Sequence, residues 1–145
     1  MSARSLRDSG SMSAQTVLGL ILAHFVGDYL IQSHWMATEK TKHWWPAVVH
    51  GVTYTLPYLL VTQSPWALLI IAGTHIMIDR FRLARHLMWF KNLIGPRAFR
   101  TSWAEAKGNS GYSASVPPWL AVWLMIIADN TCHLLINTGA VLVWG

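Results

Sequence analysis

The chain has 145 residues, room for one domain but not comfortably two, with 53% apolar residues, 12% charged residues and a formal net charge of +5. Soluble domains carry about 25% charged residues, and nine tryptophans suit a membrane interface, so the composition excludes an ordinary soluble domain; no nucleic-acid-binding pattern accompanies the positive charge. The single cysteine, Cys132, excludes a disulfide framework and a thiolate metal cluster.

Residues 1–13 read as a flexible polar arm, rich in serine, with Arg4 and Arg7. The apolar run that follows, Ala14 to Gln32, contains His24 and Asp28 and no small-residue cleavage site, so it reads as a retained membrane helix rather than a signal peptide. Three more apolar segments follow: Pro46 to Val61, interrupted by Pro57; Pro65 to Ile78; and Trp119 to Trp144. A spanning helix needs about 17–25 residues. The first and last segments meet this, and the middle two must borrow flanking residues. The turn Thr62-Gln63-Ser64-Pro65 predicts that those two form an antiparallel hairpin, with a re-entrant pair as the alternative.

Residues 80–118 read as a soluble basic loop. Within it Phe81, Ala84, Leu87, Met88 and Ile94 fall at helical spacing among Arg80, Arg82, Arg85 and Lys91. This predicts a basic amphipathic helix over 80–94, lying on an anionic membrane surface with those four residues binding lipid headgroups. A helix that merely packs on the bundle is the alternative. The stretch TSWAEAKGNSGYSAS after Gly95-Pro96 reads as a flexible loop. The expected architecture is all-α: a single transmembrane helical domain over residues 14–145, with about four spans and one interfacial helix. Lys40, Lys42 and the basic residues from Arg80 to Lys107 fall on one side of four spans. That side is expected to be cytoplasmic, with both termini outside.

Three segments each carry an imidazole and a carboxylate four residues apart: His24 and Asp28, His75 and Asp79, Asp129 and His133. Residues at i and i+4 share one helix face. The second segment adds His50 near its start. Asp28, His50 and Asp79 all come at the cytoplasmic ends of spans, whereas Asp129 and His133 fall near the middle of the last. Imidazole and carboxylate together ligate Zn²⁺, Fe²⁺ or Mn²⁺, and a cation removes the cost of about 2.5–3.5 kcal/mol for an aspartate in lipid. His24, Asp28, His50, His75, Asp79 and His133 are therefore candidate ligands of one or two divalent ions, zinc first among them. Asp129 is the candidate general base. Gln32, Asn130 and Tyr54 are candidate hydrogen-bonding supports, Asn137 reads as interhelical glue, and Gly27 and Gly73 as points of close helix packing. A structural polar network and an ion or proton pathway remain as rivals. His34, His43 and His86 read as interfacial bystanders.

The stretches HFVGDYLIQSHWMATEK, VVHGVTY and THIMIDRFR, with a late D-x-x-x-H, resemble domain-of-unknown-function family 3307, small polytopic membrane proteins of bacteria and tailed phages. The resemblance runs over most of residues 18 to 138. The pattern H-x-x-x-D-[FY]-x-x-Q, K, H, H-x-x-x-D falls on His24, Asp28, Tyr29, Gln32, Lys40, His50, His75 and Asp79. The motif is similar to that of membrane-bound metal-dependent hydrolases. The leading expectation is a metal-dependent hydrolase in the bacterial inner membrane, acting at the cytoplasmic face on a lipid or lipid-linked phosphoester. The alternatives are a non-enzymatic phage or prophage membrane protein, altering the host envelope or excluding other phages, and a small ion or proton conduit. Membrane lipids, anionic ones in particular, are the expected partners; nucleic acid is not, and a homo-oligomer is left open.

Overall fold

Ser13 accepts a hydrogen bond from the Thr16 amide and so caps the first helix, α1 (Ala14–Phe25). The computed structural model of the protein describes residues 12–145; the arm expected over 1–13 lies, apart from Met12 and Ser13, outside the described residues. α1 runs straight into a π-helical turn, Val26–Ile31. Ser33 caps the short α2 (His34–Glu39). α3 (Trp44–Thr55) continues as a 3-10 turn, Leu56–Leu60. Pro57 causes this tightening, because it has no amide to donate to the carbonyl four residues back. Ser64 and Pro65 start α4 (Pro65–Phe81) with a cap and a proline at the first position. α5 (Leu83–Ile94), the four-residue α6 (Trp103–Ala106) and the 27-residue α7 (Pro118–Trp144) complete the chain. No strand occurs among the described residues, and the protein is all-α.

α4 packs against α3 and α7, and α1 packs against α7 and the 3-10 end of α3. Leu20, Ala23, Tyr54, Tyr58, Ile71 and Ala140 form the core between them. Polar side chains share this interior with the apolar ones, and large apolar side chains cover much of the outside. His24, His50, His75, His133 and Asn137 are buried, while Leu30, Leu60, Trp45 and Trp119 face outward. Two helices are long and apolar enough to cross a membrane: Ala14–Ile31, with its π turn, and Pro118–Trp144. α3 with its extension has twelve and five residues, and α4 has seventeen, at the short end of a bilayer crossing.

Two glycines set how closely helices approach. A Cβ on Gly27 would lie 2.5 Å from the Tyr54 ring, and one on Gly51 would collide with Ile76. Gly73, expected to do the same, has nothing within 4 Å of its would-be Cβ.

The helix expected over 80–94 starts later. Arg80 and Phe81 close α4, and Arg82 adopts a left-handed conformation, φ 50° and ψ 49°, with its amide bonding Asp79 and Ile78 carbonyls. α5 then packs along α7, burying Ala84 and Met88, the latter with Tyr112 and Ala121. Leu83, Leu87, Phe90 and Ile94 stay exposed. The four residues assigned to headgroups take different places. The Arg80 guanidinium donates to the Thr41 and Lys42 carbonyls beyond α2 and lies over Trp44. Arg85 lies over Trp103 and Lys91 over Tyr112. Arg82 lines a cavity described below.

The polar stretch after Pro96 is built on hydrogen bonds. Ser102 and Glu105 start α6, and Glu105 accepts from the Thr101 and Ser113 hydroxyls and the Ala114 amide. These bonds, Thr101 foremost, hold its carboxyl below the usual range. Asn109 donates to the Ser113 and Val116 carbonyls and closes the segment.

Candidate metal centre

The π turn, α3 and α4 bring four donors to one point: Asp28, His50, His75 and Asp79. His50 Nε2 and His75 Nε2 are 2.9 Å apart. Asp28 Oδ1 lies 3.2 Å from His50 Nε2 and 3.4 Å from His75 Nε2. Asp79 Oδ2 lies 3.2 Å and 3.1 Å from the same two atoms. A tetrahedral cation with ligands at about 2.0–2.1 Å needs ligand-to-ligand edges of about 3.3–3.4 Å. Five edges of the donor set, at 2.9–3.4 Å, fall near that value. Asp28 Oδ1 is buried without a hydrogen-bond partner, an arrangement that costs stability unless a cation or proton satisfies it. The residues therefore fit a divalent ion.

Packing aims the rings. His75 stacks on Tyr54, with centroids 3.6 Å apart and planes 14° from parallel, and lies 4.2 Å from the His133 ring. The Nδ1 atoms of His50 and His75 make no hydrogen bond, so contact with neighbouring rings holds their orientation. π turns recur at functional sites because the extra residue per turn re-aims a side chain. Here the turn contains Asp28, and Gly27 inside it lets the Tyr54 ring approach.

A second group, Asp79, Asp129 and His133, adjoins the first. His133 Nε2 is 3.6 Å from Asp79 Oδ1 and 3.5 Å from Asp129 Oδ2. Asp79 belongs to both groups and presents one carboxylate oxygen to each. α7 thus reaches the same site as the other helices, and Asp129, expected at mid-span, opens onto the cavity beside it.

His24, expected among the ligands, stands outside both groups. Its Nε2 faces Asn130 Oδ1 at 3.1 Å and its Nδ1 faces the Tyr54 hydroxyl at 2.7 Å. A carbonyl oxygen only accepts, so Nε2 carries the proton and Nδ1 accepts from Tyr54. The Tyr54 oxygen then accepts from the Tyr58 hydroxyl and the Asn137 amide. His24 and Tyr54 form a buried network behind the donors, 3.6 Å from Asp28 at its nearest. Asn137 links α7 to Tyr54 and Tyr58. Asn130 also bonds Tyr29.

Lys40 is the residue that reasoning from the sequence left without a role. Its ammonium donates to Asp79 Oδ2 and to Gln32 Oε1, each at 2.6 Å. The signal that could have found it is charge: three aspartates inside an apolar bundle need cations, and Lys40 is the first lysine in the chain. Two cavities flank the site. One, of about 220 Å³, is lined by Lys40, Asp79, Arg82 and Asp129 among others. The other, of about 210 Å³, is lined by Asp28, Gln32, Lys40, Asp129 and Asn130 among others.

The model of the family described as "Protein of unknown function (DUF3307)" matches residues 16–95, more than half of the chain. The matched span contains Asp28, His50, His75, Asp79 and Lys40, and ends before Asp129 and His133. No curated protein and no solved structure matches.

Proposed function

The chain belongs to the DUF3307 family, and from that premise we propose that it is a four-span membrane protein carrying a metal-dependent hydrolase site for a lipid or lipid-linked phosphoester. The observation that carries the reading is the four-donor set of Asp28, His50, His75 and Asp79, five of whose edges, at 2.9–3.4 Å, are near those of a tetrahedral ligand shell. The many large apolar side chains on the outside and the short but continuous α3 and α4 support the four spans. Every described Lys and Arg lies in 40–42 or 80–107, which supports a cytoplasmic basic face in the bacterial inner membrane, with the termini outside.

A divalent ion, zinc as first candidate, supplies Lewis acidity and a water of lowered pKa when bound. The chain's own residues do the rest. Asp129, exposed to both cavities, is placed to take a proton from a water entering there. Lys40 and Arg82, on the cavity beside it, are placed to hold an anionic headgroup. His24 and Asn130 hold the wall of the site behind Asp28.

Elemental analysis of the full chain purified in detergent, wild type against His75→Ala, tests the reading. The wild type is expected to carry a divalent metal and the variant to lose at least tenfold of it while keeping its helix content. A metal-free wild type would sink the proposal. The Lys40–Asp79 bond would then favour the second reading, a charge-compensated structural network in a non-enzymatic phage or prophage membrane protein. The topology has its own test. Single cysteines at Gln63 and Ser102, labelled in intact cells with an impermeant reagent, are expected to differ, with only the Gln63 position reacting. Equal labelling contradicts four spans.

A further inference from the structure

Asp79 points its two carboxylate oxygens at different histidine groups, and the second group has features of its own. His133 Nε2 is buried and has no hydrogen-bond partner, since both nearby carboxylates stand at the edge of contact. His133 is 1% exposed, so water does not satisfy that nitrogen from outside. Separations of 3.5 Å and 3.6 Å from Asp129 Oδ2 and Asp79 Oδ1 leave room for an ion between the three atoms. A carboxylate that gives one oxygen to each of two ions holds them about 3.5–4 Å apart, the spacing of two-metal phosphoester sites.

Charge decides when the second ion binds. Asp28, Asp79 and Asp129 are three carboxylates; Lys40 bonds Asp79 directly. With neutral histidine ligands, one divalent ion and the Lys40 ammonium cancel the three carboxylates. A second divalent ion leaves an excess of two positive charges on these groups, before the exposed Arg82 on the same cavity is counted, and uncompensated charge in a partly buried site is unfavourable. A dianion removes that excess. The cavity lined by Asp79 and Asp129 is also lined by Lys40 and by Arg82. Arg82 is held there in a left-handed backbone conformation that L residues adopt only at a cost, an outlier at the lip of the very cavity the anion would fill.

We propose that Asp79, Asp129 and His133 form a second divalent-cation site, sharing Asp79 with the first, and that this site fills only together with a phosphate dianion bound in the adjoining cavity against Lys40 and Arg82. The inference rests on the metal-centre reading above and narrows its substrate class to phosphomonoester-like dianions. Phosphate held against Lys40 and Arg82 would offset the charge of an ion held by Asp79, Asp129 and His133, so metal affinity at the second site and phosphate affinity rise together, as linkage requires.

Equilibrium dialysis of the full chain in detergent, against Zn²⁺ and separately Mn²⁺, with and without inorganic phosphate, tests this. One ion per chain is expected without phosphate and two with it. Asp129→Asn is expected to keep the first ion, the helix content and the melting temperature of the one-ion form, and His133→Ala, which also empties a buried ring position, to keep the first ion and the helix content; both are expected to lose the phosphate-dependent ion. Arg82→Gln is expected to raise the phosphate concentration needed for half-filling by about tenfold. One ion under both conditions, or two under both, overturns the proposal. So does a phosphate-dependent second ion that survives both His133→Ala and Asp129→Asn. No ion under any condition defeats the metal-centre reading itself, which separates the two failures.

Discussion

On the proposed metal-centre reading, Asp79→Asn is expected to abolish metal binding and to lower the stability of the chain in detergent. The substitution keeps the size of the side chain and removes its charge. Four groups lose a charged partner at once, and a single amide oxygen is left to accept from one side: His50 and His75 at 3.2 Å and 3.1 Å, His133 at 3.6 Å, and Lys40 at 2.6 Å. Lys40 is the costliest, because its ammonium is largely buried and retains only the Gln32 amide. Breaking a buried pair on one side costs about 3–5 kcal/mol. Elemental analysis and a thermal melt of the same preparation check both parts. A variant that keeps wild-type metal would mean that Asp79 serves only Lys40. A variant that loses metal with an unchanged melt would mean that the Lys40 pair carries no stability. Lys40→Met in the Asp79→Asn background is expected to recover part of the lost stability and none of the metal, since it removes the stranded charge and leaves the ligand missing.

Tyr54→Phe is expected to destabilise the bundle by about 2 kcal/mol while leaving the first ion bound. The ring stays, and with it the stacking on His75. Only the hydroxyl goes, and with it three buried hydrogen bonds, to His24 Nδ1, Tyr58 and Asn137. Side-chain hydrogen bonds inside membrane proteins average about 0.6 kcal/mol each, which gives the figure. Asn137 keeps its bond to Tyr58, so the loss does not spread further along α7. A melt, with metal content measured in parallel, tells the two roles of Tyr54 apart. Full loss of metal in Tyr54→Phe would place the hydroxyl, rather than the ring, among the determinants of the site.

Much of the local structure was legible in the residues. Ser13, Ser64 and Pro65 mark helix starts, Pro57 marks the end of regular α-helix, and the polar turn at 62–65 joins α3 to α4, because caps and prolines act on the backbone within a few residues. The i, i+4 spacing placed each His and Asp of a pair on one face for the same reason. The amphipathic pattern located α5 but missed its start. The break depends on Arg82 entering a left-handed conformation after the end of α4, and a non-glycine residue there carries no pattern. Gly73 misled and Gly51 was overlooked because a glycine's neighbour belongs to another helix.

By itself, then, the sequence determined an all-helical chain, rich in apolar residues, whose three i, i+4 pairs of His and Asp each share one helix face; these follow from composition and from a period of 3.6 residues, both local. The tertiary structure alone decided which donors meet. Helix periodicity sets the direction of a side chain about its own axis but not the rotation or depth of one helix against another. Those come from contacts such as Gly27 on Tyr54 and Gly51 on Ile76, and from a π turn that re-aims Asp28. They send His50 rather than His24 to the donor set, divide the oxygens of Asp79 between two groups, and bring Lys40 back from beyond α2 onto Asp79.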